Sequence, residues 1–180
     1  MTEHIYTIKP EEERHQGGVR VLLARAFGHT RMQRAIYRMR EGTPPVPELC
    51  FVMTNRHDLV LGVVRNYRVK VGESALPALM LGPIATAHSH ERMGLAARLI
   101  DHVVARAREL GYAMIYLVGN PDYYGEFGFV AENAQHVHIP SLESGKLILG
   151  LELQPGAATQ MQGEIISDDA VLLAQLIRQR

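Results

Sequence analysis

Residues 81–104, LGPIATAHSHERMGLAARLIDHVV, decide the fold. An apolar run, Leu81 to Thr86, gives way to a polar turn and then to a helical repeat opening on Gly94-Leu95-Ala96. Leu95, Leu99, Val103 and Ala107 fall on one row, with Ala96, Ile100 and Val104 beside it; Arg98, Asp101, His102, Arg106 and Glu109 take the other side. Gly111 is the expected stop. The next run, AMIYLVG (Ala113–Gly119), is apolar throughout, the pattern of a strand buried on both faces. Strand, helix and strand within about forty residues make a crossover unit, so the two strands are expected to be parallel neighbours. The small residues that open the helix have two readings. Either they allow close packing, or they let an anion approach first-turn N–H groups that lack helical partners and sit at the positive end of the helix dipole.

Working outward, HIYTIKP (His4–Pro10) predicts a first strand and GGVRVLLARAF (Gly17–Phe27) a helix. RMQRAIYRMREG (Arg31–Gly42) predicts a second short helix, and prolines 44, 45 and 47 a linker inside one domain. ELCFVMT (Glu48–Thr54) and LVLGVVRNYRVKV (Leu59–Val71) predict a hairpin about Asn55–Asp58. ALMLGPIAT (Ala78–Thr86) is a strand interrupted by Pro83, which belongs at an edge or a bulge; the preceding Gly82 favours a bulge that frees peptide groups for a ligand. Downstream, Asn120–Val130 reads as a turn or one helical turn followed by aromatic residues, and His136–Pro140 and Lys146–Leu153 as one or two further strands. GAATQMQGEI reads as a surface loop, and Ser167-Asp168-Asp169 as the cap of a C-terminal helix.

A chain of 180 residues is expected to form one domain, 1–180. Lys+Arg and Asp+Glu are both 19, a balance that argues against an electrostatic nucleic-acid binder. Sixteen of those 19 cations are Arg, the side chain suited to forked contacts with phosphate and carboxylate. The single cysteine, Cys50, lies in an apolar run and reads as a small buried residue. MTEHIYTIKPEEER lacks the pattern of a signal peptide, and no apolar run approaches the ~20 residues of a membrane span. The expectation is a cytoplasmic protein with no membrane partner.

Neither the dinucleotide fingerprint G-x-G-x-x-G nor the P-loop G-K-[ST] is present. The pair LGPIATAHSHERMGLAARL and ELGYAMIYLVGNPDYYGEFGF instead resembles the GNAT acyltransferase superfamily, most closely its bacterial YhbS-like branch. That branch shows L-G-P-L-A-V, then Q-x-x-G-x-G, then G-[DN]-P-x-Y-Y-x-x-F-G-F; the match is dense over the core motif, residues 78–130. The resemblance implies an α/β (α+β mixed) fold: a mixed central sheet with a parallel, splayed strand pair, flanked by helices. Three positions depart from the pattern. Glu91 stands where Gln or Arg is usual, His88 where proline is common, and Ala96 replaces the second glycine. Glu91 sets a carboxylate near the expected pyrophosphate, and the adjacent Arg92 can supply the positive charge.

By this resemblance the cosubstrate is acetyl-CoA and the reaction is acetyl transfer to a primary amine of a small molecule or a protein. The stretch Glu91, Arg92, Met93, Gly94, Leu95 and Ala96 would hold the pyrophosphate, with backbone amides from Arg92 onward facing it. Ile84, Ala85 and Thr86 would pair with the pantetheine arm, an amide near Ala85 also meeting the thioester oxygen. Tyr124 would be the general acid for the leaving thiolate, with Tyr123 structural. Asn120 is either a contact to the cofactor arm or a turn-former. Glu48, expected at a strand start, is a candidate base. His88-x-His90 and His136-x-His138 each lack a third ligand, so no metal is expected. Two other readings stay open: a non-catalytic acyl-CoA-binding sensor or partner-binding module on the same fold, which Glu91 motivates, and a toxin-like enzyme acting on aminoacyl-tRNA, which zero net charge disfavours. A second copy of the chain is a candidate partner.

Overall fold

The computed structural model describes residues 6–168. The expected capped C-terminal helix beyond Asp168 lies outside them. The backbone groups into two compact units, and neither is continuous in sequence. The first takes residues up to 31, 45–66 and 81–110; the second takes 32–44, 67–80 and 111 onward.

In the first unit, β1 (Tyr6–Pro10) pairs antiparallel with β2 (Phe51–Asn55), which pairs antiparallel with the leading half of β3 (Val60–Val71). β3 is followed by β4 (Ala78–Thr86), and beyond β4 the Ala87 N–H reaches the Leu61 carbonyl at 2.8 Å. Helix α1 (Gln16–Phe27) buries Val19, Leu22 and Leu23 against Val52, Val63 and Ala85. Burying side chains of this size contributes about 1.5–3 kcal/mol each, which outweighs the two helix-weakening glycines at 17 and 18. The long helix α3 (Leu95–Glu109) buries Leu95, Leu99, Ile100, Val103 and Ala107, the row read from the sequence. Gly111, at φ +80°, follows its end.

In the second unit β4 pairs parallel with β5 (Met114–Val118) over Ala78↔Met114, Leu79↔Ile115 and Met80↔Tyr116. The crossover through α3 therefore joins parallel neighbours, as its pattern requires. β5 also pairs antiparallel with β7 (Ile148–Glu152), so it has a strand on each side, and Met114, Ile115 and Tyr116 are fully buried. A two-residue strand, β6 (Val137–His138), pairs with β8 (Gly163–Ser167), which also pairs with β3.

Asn120–Val130 opens with one helical turn, α4 (Pro121–Tyr124), as its sequence allows. Two expectations need correction. Of Arg31–Gly42, only α2 (Ala35–Met39) is α-helical; a 3-10 turn, His29–Gln33, precedes it. The stretch Gly156–Ile165, expected as surface loop, holds α5 (Ala157–Gln160) and most of β8. Ala157, Met161 and Ile165 are at 1%, 0% and 0% exposure, so this stretch supplies core. Among the described residues no helix is long and apolar enough to cross a membrane.

Candidate functional site

The first unit carries the stretch between β4 and α3. After Thr86 the chain makes a 3-10 turn, His88–His90, and then two left-handed residues, Arg92 (φ +62°) and Gly94 (φ +72°), with Met93 between them in the ordinary hand. Alternation of backbone hand converges successive amides into a concavity suited to an anion. Gly94 caps α3 without a side-chain hydrogen bond, and the first helical bond runs from the Arg98 N–H to the Gly94 carbonyl at 3.1 Å. The amides of Leu95, Ala96 and Ala97 therefore precede the helical ladder. Leu95 is 2% exposed and turned into the core, so backbone and the methyls of Ala96 and Ala97 form the surface at this helix end.

Glu91 has a partner within this turn. The carboxylate of Glu91 meets His88 Nδ1 at 2.6 Å, and both side chains are exposed. Arg92 is exposed and has no partner among the described residues. Tyr6 supports the turn from β1: its ring meets the His90 ring edge-on at 5.5 Å, and its carbonyl accepts from Arg98 Nη2 at 3.2 Å.

β4 supplies the second element. Its pairing with β5 ends at Met80, leaving Leu81–Thr86 without a β5 partner. Ala85 is buried, with Ile84 and Thr86 partly exposed on either side of it. The Gly82-Pro83 bond is cis, and Gly82 has φ +120°.

Tyr124 stands in the second unit. Asn120 caps α4, its Oδ1 accepting from the Asp122 N–H at 2.9 Å, and Pro121 occupies the first turn where its missing N–H costs nothing. The Asn120 side chain thus takes part in the turn. Tyr124 closes the helix with its ring edge-on to Tyr123 at 4.9 Å and near Phe129 at 6.3 Å. The same ring lies on Gly119: a Cβ there would come within 2.4 Å of Tyr124 Cε2. Burial, and secondarily Tyr123, pushes the Tyr124 phenol above its ordinary value. Its hydroxyl has no hydrogen-bond partner among the described residues. Tyr123, 40% exposed, packs on Tyr124 and Phe127.

Glu48 is not at a strand start. Pro47 initiates a 3-10 turn, Pro47–Leu49, and β2 begins only at Phe51; Glu48 is exposed on that turn. Cys50 is 4% exposed, its Sγ–H directed to the Val46 carbonyl at 3.1 Å, and burial pushes its thiol up to about 11, a poor nucleophile at neutral pH. Among the described residues no three His, Cys, Asp or Glu side chains converge as a metal site would require. Sequence reasoning overlooked Ala97, whose amide belongs to the open helix end, and Gly119, whose only sequence signal was its place before Asn-Pro.

Comparison with known proteins agrees with these features. A family model, "Acetyltransferase (GNAT) domain", matches residues 7–131. The uncharacterized N-acetyltransferase YhbS of Escherichia coli K12 is 29% identical over 112 residues, 62% of this chain and 66% of that protein, so the aligned stretch spans just under two thirds of that relative. The crystal structure of Escherichia coli YhbS in complex with CoA superposes with a TM-score of 0.77 at 23% identity, covering 96% of this chain and 94% of that one. A GNAT acetyltransferase from Brucella melitensis, solved with acetyl-CoA, gives 0.68 at 20% identity, covering 94% and 99%. The chain belongs to the GNAT acetyltransferase family.

Proposed function

We propose that this protein is an acetyl-CoA-dependent N-acetyltransferase acting on a primary amine of a small molecule or a protein. The observation that carries the reading is the open end of α3: the amides of Leu95, Ala96 and Ala97 lie outside the helical ladder, two left-handed residues precede them, and the exposed side chains of the first turn are alanines. In this reading the pyrophosphate rests on the backbone from Arg92 through Ala97, drawn by the helix dipole and by Arg92. The Glu91 carboxylate is engaged by His88, and in this reading that contact holds it clear of the pyrophosphate.

Ile84, Ala85 and Thr86 are assigned to the pantetheine arm, which would add to the unpaired edge of β4 as an extra strand. An amide near Ala85 would stabilise the oxyanion formed when the amine nitrogen attacks the thioester carbon. As the C–S bond breaks, the electron pair leaves on sulfur, and Tyr124 donates the phenolic proton. A raised phenol value suits this role, because the group stays protonated at neutral pH. We assign uptake of the proton lost by the attacking nitrogen to Glu48, an exposed carboxylate with no hydrogen-bond partner among the described residues. Exchange with solvent then discharges the Glu48 proton and returns one to the Tyr124 phenolate.

Calorimetry with CoA and a free-thiol assay over an amine panel test the reading together. Saturable CoA binding with amine-dependent thiol release is expected. Binding without release across the panel would favour the acyl-CoA sensor, and no binding would remove both.

Ala96→Glu gives a sharper check on the phosphate assignment. An acidic residue in the first turn of a helix is favourable to the dipole by about 0.3–1 kcal/mol, so the thermal midpoint should hold or rise. The same charge would face the pyrophosphate, and CoA affinity should fall by about tenfold or more, or at least 1.4 kcal/mol. A variant that loses stability yet binds CoA normally would refute the placement.

A further inference from the structure

Arg40 is a buried cation with no counter-ion among the described residues. It follows α2 in the second unit and is 8% exposed. Its guanidinium carbon lies 5.5 Å from the centre of the Tyr37 ring and 5.0 Å from that of Tyr67. No hydrogen bond or carboxylate meets the side chain among the described residues, and Nε is sealed from solvent with no acceptor. Arginines this deep are almost always paired, because a desolvated charge with open donors is expensive.

The two rings account for the charge but not for the N–H groups. A cation–π contact acts on the guanidinium as a cation, whereas its donors lie in its own plane and need an acceptor there. Burial lowers the group to about 10, so it remains a cation at neutral pH. Burial causes that lowering, and the two tyrosines oppose it. A single planar charge with in-plane donors matches a monoanionic, planar partner better than a phosphate dianion.

We propose that Arg40, set against Tyr37 and Tyr67, is a receptor for the carboxylate of a small ligand. Its residues are not among those assigned to the nucleotide, and its test does not depend on acetyl transfer.

The buried Nε–H should exchange slowly and give its own NMR signal, identified by its loss in Arg40→Lys. Full-length protein is titrated with acetate and with benzoate, against chloride and inorganic phosphate at matched ionic strength. Saturable movement of that signal with the carboxylates alone is expected. By calorimetry, the carboxylate affinity should drop at least about tenfold in Arg40→Lys, which keeps the charge but not the fork. A signal that stays still in the wild-type protein, that moves equally with chloride, or that prefers phosphate would overturn the proposal, whether or not the variant folds.

Discussion

Tyr124→Phe is expected to slow acetyl transfer by about 10²- to 10⁴-fold, the range attributed to a positioned proton donor. The change removes one oxygen that has no partner among the described residues, so neither packing nor the thermal midpoint should suffer. CoA affinity should stay within about threefold, since its main anchors are assigned to backbone at the start of α3. The pH profile supplies a second readout. Burial raises the phenol above its ordinary value, so the protein should keep this proton donor through neutral pH and lose activity only in alkaline solution. That alkaline decline should be missing in Tyr124→Phe. Unchanged turnover in the variant would strike Tyr124 from the mechanism.

Gly119→Ala should give much the same loss of turnover by another route. The added methyl would overlap the Tyr124 ring, 2.4 Å from Cε2 and 2.7 Å from Cδ2, with Leu117 Cδ1 3.0 Å away on the same side. Real Cβ atoms do not tolerate such contacts, so the ring must move. Overpacking of this kind costs about 1–3 kcal/mol, and turnover should fall by about 10²-fold if the phenol is displaced by an ångström. Because both changes disable one group, the double variant should be no slower than the slower single variant. Additive losses would mean that Gly119 acts through something other than Tyr124.

Much of this architecture was legible because its decisive elements are local and strongly patterned. The segment from β4 through α3 to β5 combines an apolar run, a clean 3.6-residue repeat and a second apolar run, and each became what its pattern required. β8 was not legible. Only Ile165 of its five residues is fully buried, and its partners, β3 and β6, are remote or only two residues long. Glu48 was misplaced because the strand propensity of ELCFVMT was read from its first residue, although Pro47 is a proline well suited to opening a helical turn. Gly119 and Arg40 present different obstacles. Gly119 shares a motif with Tyr124, yet only the turn into α4 brings that ring onto it. Arg40 meets Tyr67 from another segment, and no run of neighbouring letters encodes that meeting.

The two compact units are interleaved along the chain, each drawing on three stretches, and β3 and β4 begin in one and end in the other. A single cut in the gene therefore cannot release either unit whole. Deletions meant to isolate the half bearing Tyr124 would sever two strands and strip both cores. Separate expression of the pieces should yield insoluble material, and this protein should be inherited, fused or transplanted only as one uninterrupted cassette.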